Sequence, residues 1–106
     1  MRVIAESELG ELILTGYHRK YQVVARNPVL MKGLKRAVRI MESVDSSDVL
    51  ARYSFLHYEK LRYGWSGYSS VRLSNSFVHR LLFREEEDQI TLHLIEIDDT
   101  HYGNKK

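Results

Sequence analysis

Glu59 is the only carboxylate between Ala51 and Arg84, a stretch that carries six Lys/Arg. A lone carboxylate among cations stays ionised, and it either serves as a base or closes a salt bridge. His57 lies two residues earlier, so an extended strand over Phe55–Leu61 would present His57 and Glu59 on one face. Alternation sets Arg72 opposite to Val71 and Leu73 and groups Arg80 with Val78 and Leu82, which places both arginines in mid-strand. Lys60, Arg62, Arg72, Arg80 and Arg84 recur through successive strand-like segments. Neighbouring strands lie about 5 Å apart, so these cations are expected to converge on one surface. Gathered cations repel one another unless an anion sits among them, and phosphate is the natural one. His101 and Tyr102 follow the last strand-like segment, and imidazole and phenol are suited to protonating a leaving oxygen.

Together these are the parts needed to cut RNA without a metal. A base (Glu59 or His57) takes the proton from a ribose 2′-hydroxyl, which attacks the adjacent phosphate. Arginines stabilise the charge that develops on phosphorus-bound oxygens, and an acid (His101 or Tyr102, with His79 next in line) protonates the departing 5′ oxygen. Metal chemistry fits less well. His18, His57, His79, His93 and His101 show no paired ligand spacing, so neither a metal nor another cofactor is expected. His93, between Leu92 and Leu94, reads as structural.

The elements that must carry these residues change character along the chain. Arg2–Ala5 fits a short first strand. Ser7 is the expected N-cap of a helix holding Leu9, Leu12 and Ile13, with Gly16 ending it. Asn27 followed by Pro28 marks a second helix start. Leu30, Leu34, Ala37, Val38 and Met41 then share one face, with Lys32, Lys35, Arg36 and Arg39 on the other. Ser46–Leu50 fits a short third helix. Beyond it the period drops to two, giving strands over Phe55–Leu61, Ser69–Leu73, Phe77–Arg84 and Ile90–Ile97. Short connections between them favour antiparallel pairing. The order predicts one α+β domain over residues 1–106: a first strand, two to three helices, and a mainly antiparallel sheet of four to five strands covered on one face.

Composition agrees with a surface-acting protein. With 106 residues and 43% hydrophobic content the chain builds one modest core, so an open groove is easier to form than a deep cavity. There is no cysteine, hence no disulfide or thiolate site. Acids in MRVIAESELG and the lack of a long apolar run point to a cytoplasmic protein without membrane segments. The net charge of +2 conceals segregation. Tyr17–Arg39 holds seven Lys/Arg and no acid, whereas Glu85–Asp99 holds seven acids and no base. Basic residues on a helix often form only its solvated face, but charge sorted along the whole chain favours a polyanion partner.

The residues from Glu59-Lys60-Leu61-Arg62 through Ser66-Gly67-Tyr68 to Arg72-Leu73, then His79-Arg80-Leu81-Leu82-Phe83 and finally His101-Tyr102, resemble the YoeB branch of the RelE/ParE toxin superfamily. His57 with Lys60, Ser69-Ser70-Val71-Arg72-Leu73 and Asp99 also resemble the HigB branch. The resemblance covers Phe55–Lys106 by motif and the helical half by layout. It implies a RelE-like fold and an mRNA-cleaving toxin (an mRNA interferase) that inhibits translation in the ribosomal A site and is neutralised by a cognate antitoxin. It further implies a base at Glu59, a phosphate-stabilising Arg80 and an acid within His101 and Tyr102. The two branches differ on whether His57 or Glu59 leads, and this chain carries both. The connection Leu73-Ser74-Asn75-Ser76-Phe77-Val78 is longer than in those toxins, and it sets the register that aims Arg80. Two other activities fit a basic sheet: a ParE-like toxin that binds gyrase without cutting RNA, and a non-catalytic RNA-binding module.

Overall fold

A computed structural model of the chain describes residues 1–99. Strand β1 (Arg2–Ala5) is followed by helices α1 (Ser7–Thr15), α2 (Gln22–Ala25) and α3 (Pro28–Ser43), then β2 (Glu59–Lys60), β3 (Ser69–Arg72), β4 (Arg80–Glu85) and β5 (Thr91–Asp98). The sheet order is β1-β5-β4-β3-β2, with β1 parallel to β5 and every other pair antiparallel. This is the expected α+β architecture, with helices on one sheet face.

The helix starts follow from local chemistry. Asn27 Oδ1 accepts from the N–H groups of Val29 (3.0 Å) and Leu30 (3.2 Å), and Pro28 opens α3 where its missing N–H costs nothing. Gly16 closes α1 in the left-handed conformation at φ 86°, which glycine adopts without strain. The expected cap at Ser7 is corrected: Glu6 holds the N-cap position and no side chain caps α1. From α3, Leu30, Leu34, Ala37 and Met41 are buried against Val71, Leu73, Leu81, Phe83, Leu92 and Leu94 of the sheet. Gly33 lets α3 approach closely, because a Cβ there would lie 1.9 Å from the Leu73 carbonyl oxygen.

Three expected elements differ. Ser46–Leu50 is a 3₁₀ helix over Ser47–Arg52, and the strand expected over Phe55–Leu61 shrinks to the two residues of β2. Upstream of it Ser54–Leu56 forms a 3₁₀ turn that buries Leu56, and His57 then reverses direction in the left-handed region at φ 49°. Alternation of Leu56 and Tyr58 imitates a strand over so short a span. The strand expected at Phe77 begins only at Arg80, because the residues between Leu73 and His79 form a loop closed by Leu73 N–H donating to the His79 carbonyl (3.2 Å).

Candidate active site

The sheet face away from the helices carries Glu59, Arg72 and Arg80. Directly opposed residues of antiparallel strands leave the same face, and the pairing aligns two adjacent rows: Glu59, Ser70, Leu82 and Glu96 in one, Arg72, Arg80 and Asp98 in the other. Across these rows Arg80 Nη1 donates to Glu59 Oε1 at 3.3 Å. The Arg80 side chain is 12% exposed and that of Glu59 is 49% exposed, so the carboxylate is open to a ligand while its guanidinium partner is held in the sheet.

Arg72 and Arg80 are Cα partners at the paired ends of β3 and β4. The expectation that both lie in mid-strand is corrected, since Arg72 ends β3 and Arg80 begins β4. Like charges directly opposed in a sheet destabilise it. Glu59 offsets part of that repulsion, and the buried Asp98 stands in register with Arg80. Arg72 retains an Nε sealed from solvent with no hydrogen-bond partner among the described residues. An unsatisfied buried donor costs about 1–3 kcal/mol.

The remaining site residues divide. Arg84 lies on the same face, but its Nε donates to Glu86 Oε2 at 3.1 Å; that carboxylate, and then the Tyr68 phenol, raise its pKa above the usual arginine value. Lys60 falls on the opposite face, where it shares a groove with Tyr58, Ser69 and Phe83. The expectation that it joins the other cations is therefore corrected, by the strict alternation of a strand that also carries Glu59. Arg62 is exposed ahead of a 3₁₀ turn over Tyr63–Trp65, outside the strands. His57 does not share a strand face with Glu59; its Nε2 meets Asn75 Oδ1 at 2.9 Å, which ties it to the β3–β4 loop. His101 and Tyr102 lie outside the described residues; the sheet ends at Asp98, opposite Arg80, three residues before His101.

Asp98 and Glu96 were not singled out by the sequence reading. A register shift between Leu82 and Phe83 brings them to this face: Phe83 pairs with Leu94, but Leu82 pairs with Glu96, leaving Ile95 as the extra residue. The signal was present as a slip in apolar phase, from Leu92 and Leu94 to Ile97, with acids at 96 and 98. His93 is placed as a structural residue would be, its Nε2 and Nδ1 contacting Glu6 Oε2 (2.9 Å) and Glu86 Oε2 (3.2 Å).

No family model and no curated protein matches the sequence. Solved structures do match. A YoeB/ParE toxin from Agrobacterium tumefaciens superposes with a TM-score of 0.58 at 15% identity, covering 95% of this chain and 100% of that one. The YoeB dimer from Staphylococcus aureus gives 0.54 at 16% identity, covering 96% and 98%. The fold is that of the YoeB/ParE toxins. The likeness spans nearly the whole length of both chains in each case.

Proposed function

We propose that this chain is the toxin of a toxin–antitoxin pair and cleaves mRNA without a metal, in the cytoplasm and in the ribosomal A site. The observation that carries the reading is the half-open Glu59 carboxylate, 3.3 Å from Arg80, beside a second arginine with a buried unpartnered Nε. Glu59 removes the 2′-hydroxyl proton; the 2′ oxygen bonds to phosphorus as the bond to the 5′ oxygen breaks. The products are a 2′,3′-cyclic phosphate and a 5′-hydroxyl. Arg80 and Arg72 stabilise the charge growing on the non-bridging oxygens, as preorganised donors do. The leaving 5′ oxygen takes its proton from His101 or Tyr102. Arg84, engaged with Glu86, contributes field rather than a direct contact. A cognate antitoxin silences the toxin by covering part of the cationic surface, to which an acidic segment is steered quickly.

The test is cleavage of mRNA on programmed ribosomes by wild type and Glu59→Gln, with RNA binding measured in parallel. Loss of cleavage with binding retained supports an enzyme. Retained toxicity in Glu59→Gln would instead support gyrase binding, a reading kept because one structural neighbour carries the name YoeB/ParE. Gyrase supercoiling assays with that variant decide between them.

A further inference from the structure

The lengthened β3–β4 loop builds a second cationic groove, away from the open sheet face. Its volume is about 430 Å³, and Lys32, Arg36, Phe55, Ser74, Asn75 and Ser76 line it. Lys32 and Arg36 are four residues apart on α3, so both side chains project over the same stretch of helix toward the loop. The Arg36 guanidinium carbon sits 4.1 Å from the centroid of the Phe55 ring, which is braced in turn by Tyr53 at 6.0 Å in an edge-on contact. One face of the guanidinium is thereby fixed against an aromatic, and the other is a flat, cationic platform. Around it the loop is held in shape by Ser76 N–H donating to Ser74 Oγ (3.1 Å) and by the Asn75–His57 contact (2.9 Å). No carboxylate lines the groove among the described residues.

We propose that this groove is a binding subsite for one nucleotide flanking the scissile one, its base stacked on Arg36 and its phosphates met by Lys32 and Arg36. This rests on the proposed RNA-cleaving function. Single-stranded RNA is recognised by stacking on aromatic rings and arginine planes, with cations along the backbone, and the groove supplies both. It is also tied to the cleavage site through the chain itself. Leu73, in the groove wall, follows Arg72, and His57, bonded to Asn75, lies two residues before Glu59. An acidic peptide would be drawn by the same charge, but it would gain nothing from the stacked platform.

The probe is a fluorescein-labelled 2′-O-methyl nonauridylate, which cannot be cleaved, titrated by anisotropy at several salt concentrations. Removing two phosphate contacts in the double variant Lys32→Ala/Arg36→Ala should lower the salt slope by about 1.4 and the affinity by roughly tenfold. Arg36→Lys keeps the charge but not the plane, and should weaken binding with the slope unchanged. In ribosome-dependent cleavage the double variant should raise KM and leave kcat intact, the mark of binding lost equally in ground and transition states. Wild-type affinity and slope in the folded double variant overturn the subsite. So does binding of polyglutamate, but not of the nonamer, at the groove. Failure of the cleavage reading looks different: Glu59→Gln then stays toxic, while the groove variants still lose the nonamer.

Discussion

Replacing Arg80 by alanine should cost far more activity than stability. Its contact with Glu59, at 3.3 Å with the carboxylate about half exposed, is worth about 0–1 kcal/mol after solvent screening. Removing it also relieves the opposition with Arg72. Loss of the packed side-chain stem acts in the other direction, on the order of 1 kcal/mol. A change of 1 kcal/mol shifts the Tm of a domain this size by roughly 4–8 °C, so the variant should remain folded at 37 °C. Cleavage, by contrast, loses a preorganised stabiliser of the developing charge, which costs on the order of 10²–10³ in rate, or about 2.7–4 kcal/mol.

The assay is single-turnover cleavage of mRNA on programmed ribosomes, with melting followed by circular dichroism. Glu59→Gln and the double variant complete a cycle. Residues serving one chemical step are strongly non-additive, so the double variant should be about as slow as the slower single one. If the ion pair is only structural, all three variants cleave normally and differ in Tm alone. A folded Arg80→Ala protein cutting at the wild-type rate would refute the assignment.

Arg72→Leu should raise Tm by several degrees while cleavage falls at least tenfold, because it removes a buried unpartnered donor and a like-charge opposition together; an unchanged rate would remove Arg72 from the site. Gly33→Ala should destabilise by about 1–3 kcal/mol, despite alanine's better helix propensity, since its Cβ meets the Leu73 carbonyl oxygen at 1.9 Å and backbone must move; chemical denaturation measures this. Asp88 accepts from the N–H groups of Ile90 and Thr91 and from the Thr91 hydroxyl, and these bonds, Ile90 first, lower its pKa. A depressed folded pKa gives stability that is present above the unfolded pKa and lost as pH falls through the folded one, so Tm should drop more steeply from pH 5 to pH 2 in wild type than in Asp88→Asn. Tyr102→Phe keeps the ring and every charge, and should slow cleavage without changing Tm if the phenol is the acid; wild-type cleavage by both it and His101→Ala would move the acid to another residue.

Much of the fold was legible because its signals are local. Asn27 with Pro28, Gly16, and the apolar face from Leu30 to Met41 each act within a turn or two of helix, and each is found where the sequence places it. Glu59 with Arg80 was legible as a pair of chemically apt residues, but their contact was not, because it depends on how Glu59, Ser70 and Leu82 line up across three strands. Lys60 shows the limit most plainly. It adjoins Glu59 in sequence and matches the other cations in charge, yet one step along a strand turns it to the opposite face. His57 was read as extended because nothing in a short alternating stretch distinguishes a strand from a 3₁₀ turn ended by a left-handed residue.

The site is made by departures from regular pairing as much as by the strands themselves. Had β4 and β5 paired without the shift after Leu82, Arg80 would have faced Ile97, and Glu96 and Asp98 would have pointed into the helix-covered core. Two carboxylates there would demand partners that the apolar residues Leu34, Ala37 and Met41 do not offer. The extra residue at Ile95 therefore serves both faces: it keeps Ile97 against the core and delivers Asp98 to the arginines. The lengthened β3–β4 loop works the same way, since its extra residues leave Arg72 and Arg80 in register and extend outward to meet α3 and His57. Phase slips and loop length thus position the chemistry here, and both are set by pairing between strands, which no single segment of the sequence records.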